Sequence, residues 1–269
     1  MLNNRVKLLV TDWAGTIVDA GCFGPLIPIQ KAFGKFGVHV SFDDIRKGGM
    51  GRSKIDNIQG IINLPHINTN MIYLDFISKN NLADLIYNEY VKFQKSNFIS
   101  KPVNHAIPIL NQLKSNNIII GSDTGYNRST IDNIAKEAGR QGLHVNQIVS
   151  FEDIPSHKGR PHPHTILKNI ELAGIDNPKH VIKFGDTTDD ITSGHNAKVW
   201  TISVIKTCSN MEMNEEEVDK LSPADKSKHY HRCIAAIMTA KPHYIIEDIT
   251  KLPYFVHLIN RRIEKGDTP

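Results

Sequence analysis

Five short apolar runs, each ending at or beside an acidic or small residue, limit the possible folds of this chain more than any other feature. They are VKLLVTD (6–12), NIIIGSD (117–123), NQIVSF (146–151), HVIKFGD (180–186) and VWTISVI (199–205). Runs this short and this rich in Val and Ile predict strands buried on both faces, as parallel sheets require. Helical patterns lie between them. Ile131, Ile134, Ala135 and Ala138 fall at i, i+3, i+4 and i+7, with Gly139 placed to end the helix. Ile166, Ile170 and Ala173 repeat the spacing before Gly174. Strand alternating with helix predicts an α/β fold, a doubly wound parallel sheet.

Residues 21–100 break this rhythm. The segment lacks short buried runs, and Pro25–Gly37, Lys54–Ile62 and Leu82–Phe93 read as helices. The expected organisation is a catalytic core from residues 1–20 and 101–269, with a helical cap inserted at 21–100. The cap would sit beyond the C-terminal end of the first strand, where open α/β sheets bind ligands. The polar tail that begins MNEEEVDKLSPAD returns to a sheet-like HYIIEDI, and the pattern gives residues 206–245 no definite place.

Composition removes several function classes. No run of about 18 apolar residues occurs, so no membrane span is expected. The N-terminus leads directly into a strand pattern without the regions of a signal peptide. Three scattered cysteines, Cys22, Cys208 and Cys233, make neither a disulfide framework nor a zinc site, and a reducing cytosol is expected. The net charge is +4, from 32 basic and 28 acidic residues, and it favours small anions over nucleic acid. The densest basic stretch, KLSPADKSKHYHR, accompanies no nucleic-acid motif and reads as a solvated surface. His162 and His164, like His229 and His231, lack ligand partners at metal spacing.

Two expected strands finish in aspartate, Asp12 and Asp186, and the second opens DTTDD, which contains Asp190. Neighbouring parallel strands end at one edge, so these carboxylates are expected to meet. Close carboxylates repel unless a cation lies between them, and an all-oxygen ligand set suits Mg²⁺. Taken singly, either aspartate reads as a helix N-cap.

In order and spacing these segments resemble the haloacid dehalogenase superfamily of phosphotransferases. The resemblance implies a haloacid dehalogenase-like core with Asp12 as nucleophile. Asp12, the backbone carbonyl of Ala14 and Asp186 would ligate Mg²⁺, and Asp190 would support the metal without touching it. Thr124, in GSDTGY, matches the family's hydroxyl position, and Arg160, in KGRPHP, its basic position. Singly, each is an ordinary loop or surface residue.

Ala14 stands where most phosphatases of the superfamily carry the aspartate that protonates a departing alkoxide. Lys54, in GGMGRSKIDN, supplies a different route. An amine in a dry site condenses with an aldehyde, and the iminium then draws electrons from an adjacent carbon–phosphorus bond. The missing acid and the added amine explain each other. With DWAGTIVDAGCFGPL, MGRSKID, TGYNRSTIDNIAKEA, KGRPHP and GDTTDDITSG, the pairing resembles the phosphonatase family nearly end to end. That resemblance implies hydrolysis of phosphonoacetaldehyde to acetaldehyde and phosphate by a cytoplasmic homodimer. Lys54 would form the Schiff base, and Cys22, Met50, Gly51 and Tyr126 would line the pocket. Thr124 and Arg160 would bind the phosphoryl group. The alternative is a related Mg²⁺-dependent phosphatase or phosphomutase acting on a small phosphate ester. Two positions depart from the family pattern. Asn57 replaces a histidine after KID, and Asp123 replaces a threonine before TGY. Asp123 is expected to turn away from an anionic substrate or to pair with Arg160 or another cation.

Overall fold

A computed structural model describes residues 5–70, 79–96 and 99–269. Six parallel strands form one sheet in the order β3-β2-β1-β4-β5-β6. They are β1 (Leu8–Thr11), β2 (Ile119–Thr124), β3 (Gln147–Ser150), β4 (Val181–Gly185), β5 (Trp200–Val204) and β6 (Tyr244–Ile246). The first five fall within the expected runs, except that β2 extends one residue further to Thr124. The sixth is the HYIIEDI segment, which adds an edge strand beside β5.

Helices cover both faces, as alternation along each strand dictates. Leu8 and Val10 of β1 pack with Ile166 and Ile170 of α8 (His164–Leu172) and with Ala197, just after α9 (Thr188–Asn196). Leu9 points the other way. It joins the large cluster that holds Ile120, Phe184 and Ile202, together with Leu110 of α6 (Ala106–Ser115), Ile131 of α7 (Arg128–Arg140) and Ile259 of α12 (Leu252–Glu264). The polar tail forms α10 (Glu215–Lys220) and α11 (Pro223–Met238). Much of the basic stretch in α11 faces solvent.

Between β1 and α6 the described residues form five helices and no strand beyond isolated bridges at Ala14, Val18 and Pro102: α1 (Phe23–Gly34), α2 (Phe42–Lys47), α3 (Lys54–Ile62), α4 (Pro65–Asn70) and α5 (Lys79–Ser96). Residues 71–78 and 97–98 of the expected insert lie outside the described residues. Ile29 of α1, Ile58 and Ile61 of α3 and Ile86 of α5 are fully buried and belong to the same hydrophobic cluster as Leu9.

Register fixes the position of the acidic strand ends. Thr11 pairs with Ser122 on one side and Phe184 on the other, so Asp12, Asp123 and Gly185 sit level at the C-terminal edge. Among the described residues no helix is long and apolar enough to cross a membrane.

Candidate active site

Asp12 is the first residue beyond β1, and its N–H donates to the Phe184 carbonyl at 2.9 Å. The chain then turns tightly, with the Trp13 carbonyl accepting from the N–H groups of Ile17 (2.9 Å) and Val18 (3.0 Å). Gly15 makes the turn possible. Its φ is +79°, and a Cβ there would lie 2.6 Å from both Asp186 Oδ2 and Cys22 Sγ. Across the edge, Asp186 follows β4, and Thr187 caps α9. Thr187 Oγ1 accepts the Asp190 N–H at 3.2 Å, while Asp190 Oδ2 accepts the Thr187 N–H at 3.1 Å. Asp12, Asp186 and Asp190 are thereby buried with carboxylate oxygens within 4.8 Å of one another, the only such cluster among the described residues.

These carboxylates are not equivalent. Burial, then the charges of Asp12 and Asp190, push Asp186 up to about 8. Burial also raises Asp12, against the opposing pull of Arg160. Burial works against the charge on Asp190 too, but Arg160 and then Lys183 outweigh it and hold that carboxyl well below the usual range. Asp190 is therefore already compensated by protein cations, whereas Asp12 shares Arg160 with Asp190 and Asp186 forms no ion pair among the described residues. A small dication with oxygen ligands fits between them. Asp186 is further held by the Ser209 N–H at 2.9 Å and by Thr16 Oγ1 at 3.3 Å.

Arg160 is the hub of the charge network. Its Nη2 donates to Asp12 Oδ1 at 2.9 Å, its Nη1 donates to Asp190 Oδ1, and its Nε lies 3.9 Å from Asp123. Lys183, which the sequence reading did not single out, stands fully buried in β4, 2.8 Å from Asp190 and 2.5 Å from Asp123. Thr165 Oγ1 also donates to Asp123 at 3.0 Å. Asp123 thus pairs chiefly with Lys183, and its negative charge is spent within the sheet. Removing one member of such a buried pair costs about 3–5 kcal/mol. Lys183→Met should lower the urea unfolding midpoint accordingly, and Asp123→Asn added to it should recover most of the loss. An unchanged midpoint for Lys183→Met would show that the pair is not needed.

Lys54 opens α3 behind an N-cap, Ser53, whose Oγ accepts the Asp56 N–H at 3.3 Å. The side chain is 5% exposed. Its Nζ donates to the Met50 carbonyl at 3.2 Å and lies 5.6 Å from the centre of the Tyr126 ring. Burial, and next the Arg160 guanidinium, bring its amine down to about 8. The neighbouring cation responsible is Arg160, while Arg52 Nε lies 3.5 Å from Asp189.

One cavity joins these groups. Asp12, Ala14, Cys22, Met50, Gly51, Lys54, Thr124, Tyr126 and Arg160 all line it. Asp186 and Asp190 are not among its lining residues; Cys22 Sγ, on the wall, lies 3.8 Å from Asp186 Oδ2. Thr124, the last residue of β2, accepts the Tyr126 N–H at 3.1 Å through Oγ1.

Known proteins place this arrangement. Residues 40–204 match the family model described as haloacid dehalogenase-like hydrolase. The phosphonoacetaldehyde hydrolase of Bacteroides fragilis is 31% identical over 263 residues, covering 96% of this chain and 98% of that protein. The phosphonoacetaldehyde hydrolase of Bacillus anthracis is 32% identical over 270 residues, 98% of each chain. This chain is a haloacid dehalogenase-like hydrolase of the phosphonoacetaldehyde hydrolase family. The fold agrees. A crystal structure of a phosphonoacetaldehyde hydrolase-like protein from Oleispira antarctica superposes with a TM-score of 0.93 at 23% identity, covering 98% of this chain and 96% of that one. A putative β-phosphoglucomutase from Bacteroides vulgatus gives 0.69 at 13% identity, covering 97% and 92%.

Against the family pattern read from the sequence, Asp123 finds its cation in Lys183. Asn57, the second departure, is fully buried and donates from Nδ2 to the Ile45 carbonyl at 2.8 Å, while its Oδ1 has no partner. It tethers α3 to α2. The sequence reading missed three other lining residues, Pro25, Gly125 and Thr187. Gly125 had a readable signal in the TGY turn. A Cβ there would collide with the Arg52 carbonyl.

Proposed function

We propose that this enzyme hydrolyses the carbon–phosphorus bond of phosphonoacetaldehyde to acetaldehyde and phosphate, through a Schiff base on Lys54 and an aspartyl-phosphate on Asp12. The observation that carries the reading is a buried amine and a buried carboxylate on the walls of one cavity, with Ala14 beside them where an ester hydrolase needs an acid.

Lys54, neutral in about a tenth of molecules at pH 7 given its value of about 8, attacks the aldehyde carbon. Water leaves and an imine forms; its protonated form is the electron sink. Asp12 then attacks phosphorus opposite the carbon. The oxygen–phosphorus bond forms, the carbon–phosphorus bond breaks, and its electron pair enters the iminium to give a neutral enamine. Protonation at carbon and addition of water release acetaldehyde and return the amine. A second water cleaves the aspartyl-phosphate. Arg160 and Thr124 hold phosphoryl oxygens during transfer, and the Tyr126 ring on the cavity wall lies 5.6 Å from the amine. Asp12, Asp186 and the Ala14 carbonyl would hold Mg²⁺, which when bound would neutralise charge at the phosphoryl oxygens. Residues 21–100 act as the cap that excludes water. All three cysteines are free thiols, which suits a reducing cytosol, and the family resemblance implies a homodimer.

The rival reading is a phosphatase or phosphomutase for a small ester. Coupled assay of acetaldehyde and phosphate separates the two. Phosphonoacetaldehyde should yield both products in equal amounts, at a kcat/KM well above that for p-nitrophenyl phosphate; the reverse order would establish the rival. Ala14→Asp sharpens the test. A carboxyl beside the phosphoryl site disfavours the approach of an anion and can protonate an alkoxide. It should slow phosphonoacetaldehyde cleavage by about 10-fold or more and raise ester hydrolysis, since acid assistance is typically worth about 10²–10⁴-fold when fully used. Faster phosphonate cleavage in this variant would contradict the account of the missing acid.

A further inference from the structure

Two ion pairs that the reaction does not use join α2 and the segment leading into α3 to the loop after β5 and to α9. Arg46 of α2 pairs with Glu212, in the loop after β5, with side chains 14% and 33% exposed. Arg52, two residues before Lys54, lies with its Nε 3.5 Å from Asp189 Oδ1 in the first turn of α9, with side chains 43% and 11% exposed. The second is an ion pair without good hydrogen-bond geometry, since Arg52 Nε has no hydrogen-bond partner.

Their placement relates them to the site. One groove runs along Arg46, Met50, Gly51, Thr187 and Ser209, and Met50, Gly51 and Thr187 also line the catalytic cavity. The loop that receives Arg46 is the same loop that grips the catalytic edge. Thr207 Oγ1 donates to the Gly15 carbonyl at 2.7 Å, and the Ser209 N–H donates to Asp186. Around Arg52 the packing is close: Gly51 lies against the Thr187 and Asp189 side chains and Gly125 against the Arg52 backbone. A Cβ on Gly51 would lie 2.7 Å from Asp189 Cβ, and one on Gly125 would strike the Arg52 carbonyl. Contact this close, with no room for a side chain at Gly51 or Gly125, gives Lys54 its place only while segment 50–54 stays seated. An amine that must reach an aldehyde carbon two bonds away from the phosphorus under attack tolerates little displacement, because reacting atoms need to approach within about 3–3.5 Å.

We propose that Arg46–Glu212 and Arg52–Asp189 are positioning pairs that seat the Lys54 helix on the sheet edge and so set the spacing between Lys54 and Asp12. The inference rests on Lys54 as the imine-forming residue. Neither pair touches substrate. Each biases the seated arrangement, so losing one weakens productive binding while saturating substrate restores the rate.

The test is a pair of mutant cycles on the Mg²⁺-loaded enzyme: Arg46→Met with Glu212→Gln, and Arg52→Leu with Asp189→Asn. Each single variant should raise KM for phosphonoacetaldehyde about two- to five-fold, the range for partly exposed pairs, with kcat little changed. Each double variant should be no worse than its worse single. The wild-type KM should rise with salt, and the double variants should show a smaller rise, because screening acts on the pairs. Borohydride trapping on Lys54 at low substrate should slow by the same factor as KM rises. An unchanged KM, or penalties that simply multiply in the doubles, would overturn the proposal even if the wild type traps its imine normally. Absence of any trapped imine in the wild type would instead remove the Lys54 reading, and the pairs would have no such spacing to set. Should Asp189→Asn misfold, the Arg46–Glu212 cycle decides the matter alone.

Discussion

Lys54→Arg is expected to leave an enzyme that folds and binds phosphate but does not turn over phosphonoacetaldehyde. The loss should be on the order of 10⁴-fold or more, the scale seen when a nucleophile is removed from a cooperating set. A guanidinium keeps the positive charge near Asp12 and Tyr126 but cannot condense with an aldehyde. The substitution therefore separates electrostatics from covalent chemistry. The wild-type dependence on pH has a fixed sign. Burial and Arg160 lower the amine to about 8, and only the neutral amine attacks. Imine formation should rise with pH through about 8 and then level off. An arginine variant with substantial turnover, or a flat profile from pH 6 to 9, would show that the amine does not form the imine.

Asp186→Asn is expected to cut activity by more than about 10²-fold, beyond the usual cost of losing a partner outside the metal's own ligands. The amide keeps the shape but not the charge that a dication needs. Stability should move the other way. In metal-free enzyme the Asp186 carboxyl is raised to about 8 by burial and by its acidic neighbours. The folded state thus binds more protons at this group than the unfolded state. Its contribution to stability is present below the ordinary carboxylate range and is lost as pH rises toward 8. In EDTA the wild type should therefore lose melting temperature across this window, and added Mg²⁺ should restore it. Asp186→Asn should show a shallower slope and little response to Mg²⁺. Full activity in EDTA-stripped wild type, or equal Mg²⁺ stabilisation of both proteins, would refute the assignment of the metal.

Much of the site was readable because it depends on backbone topology. Parallel strands that end in Asp12, Thr124 and Asp186 must bring those residues to one edge, and the register sets Asp12 level with Asp123 and Gly185, one residue before Thr124 and Asp186. The short distance from Met50 to Lys54 needed only one tight turn and a helix start. What escaped the sequence depends on pairing between distant segments. Lys183 looked like an ordinary strand residue because its partners come from β2 and from the cap of α9. Asp123 looked like a liability for the same reason. HYIIEDI read as sheet-like, but its place at the edge beside β5 was not legible, because only three residues pair and its neighbours are polar. Asn57 shares with Lys54 the i, i+3 spacing expected of one face, yet its amide is taken by the Ile45 carbonyl. A single helix cannot reveal which neighbour will claim a side chain.

Sodium borohydride added to the Mg²⁺-loaded enzyme during turnover of phosphonoacetaldehyde tests the central claim most directly. The reagent reduces an imine to a stable amine. Peptide mass spectrometry should then find a two-carbon N-ethyl group on Lys54, with activity lost in step with labelling and no label in Lys54→Arg. An unmodified Lys54 under turnover, or an adduct only at another lysine, would contradict the Schiff-base route.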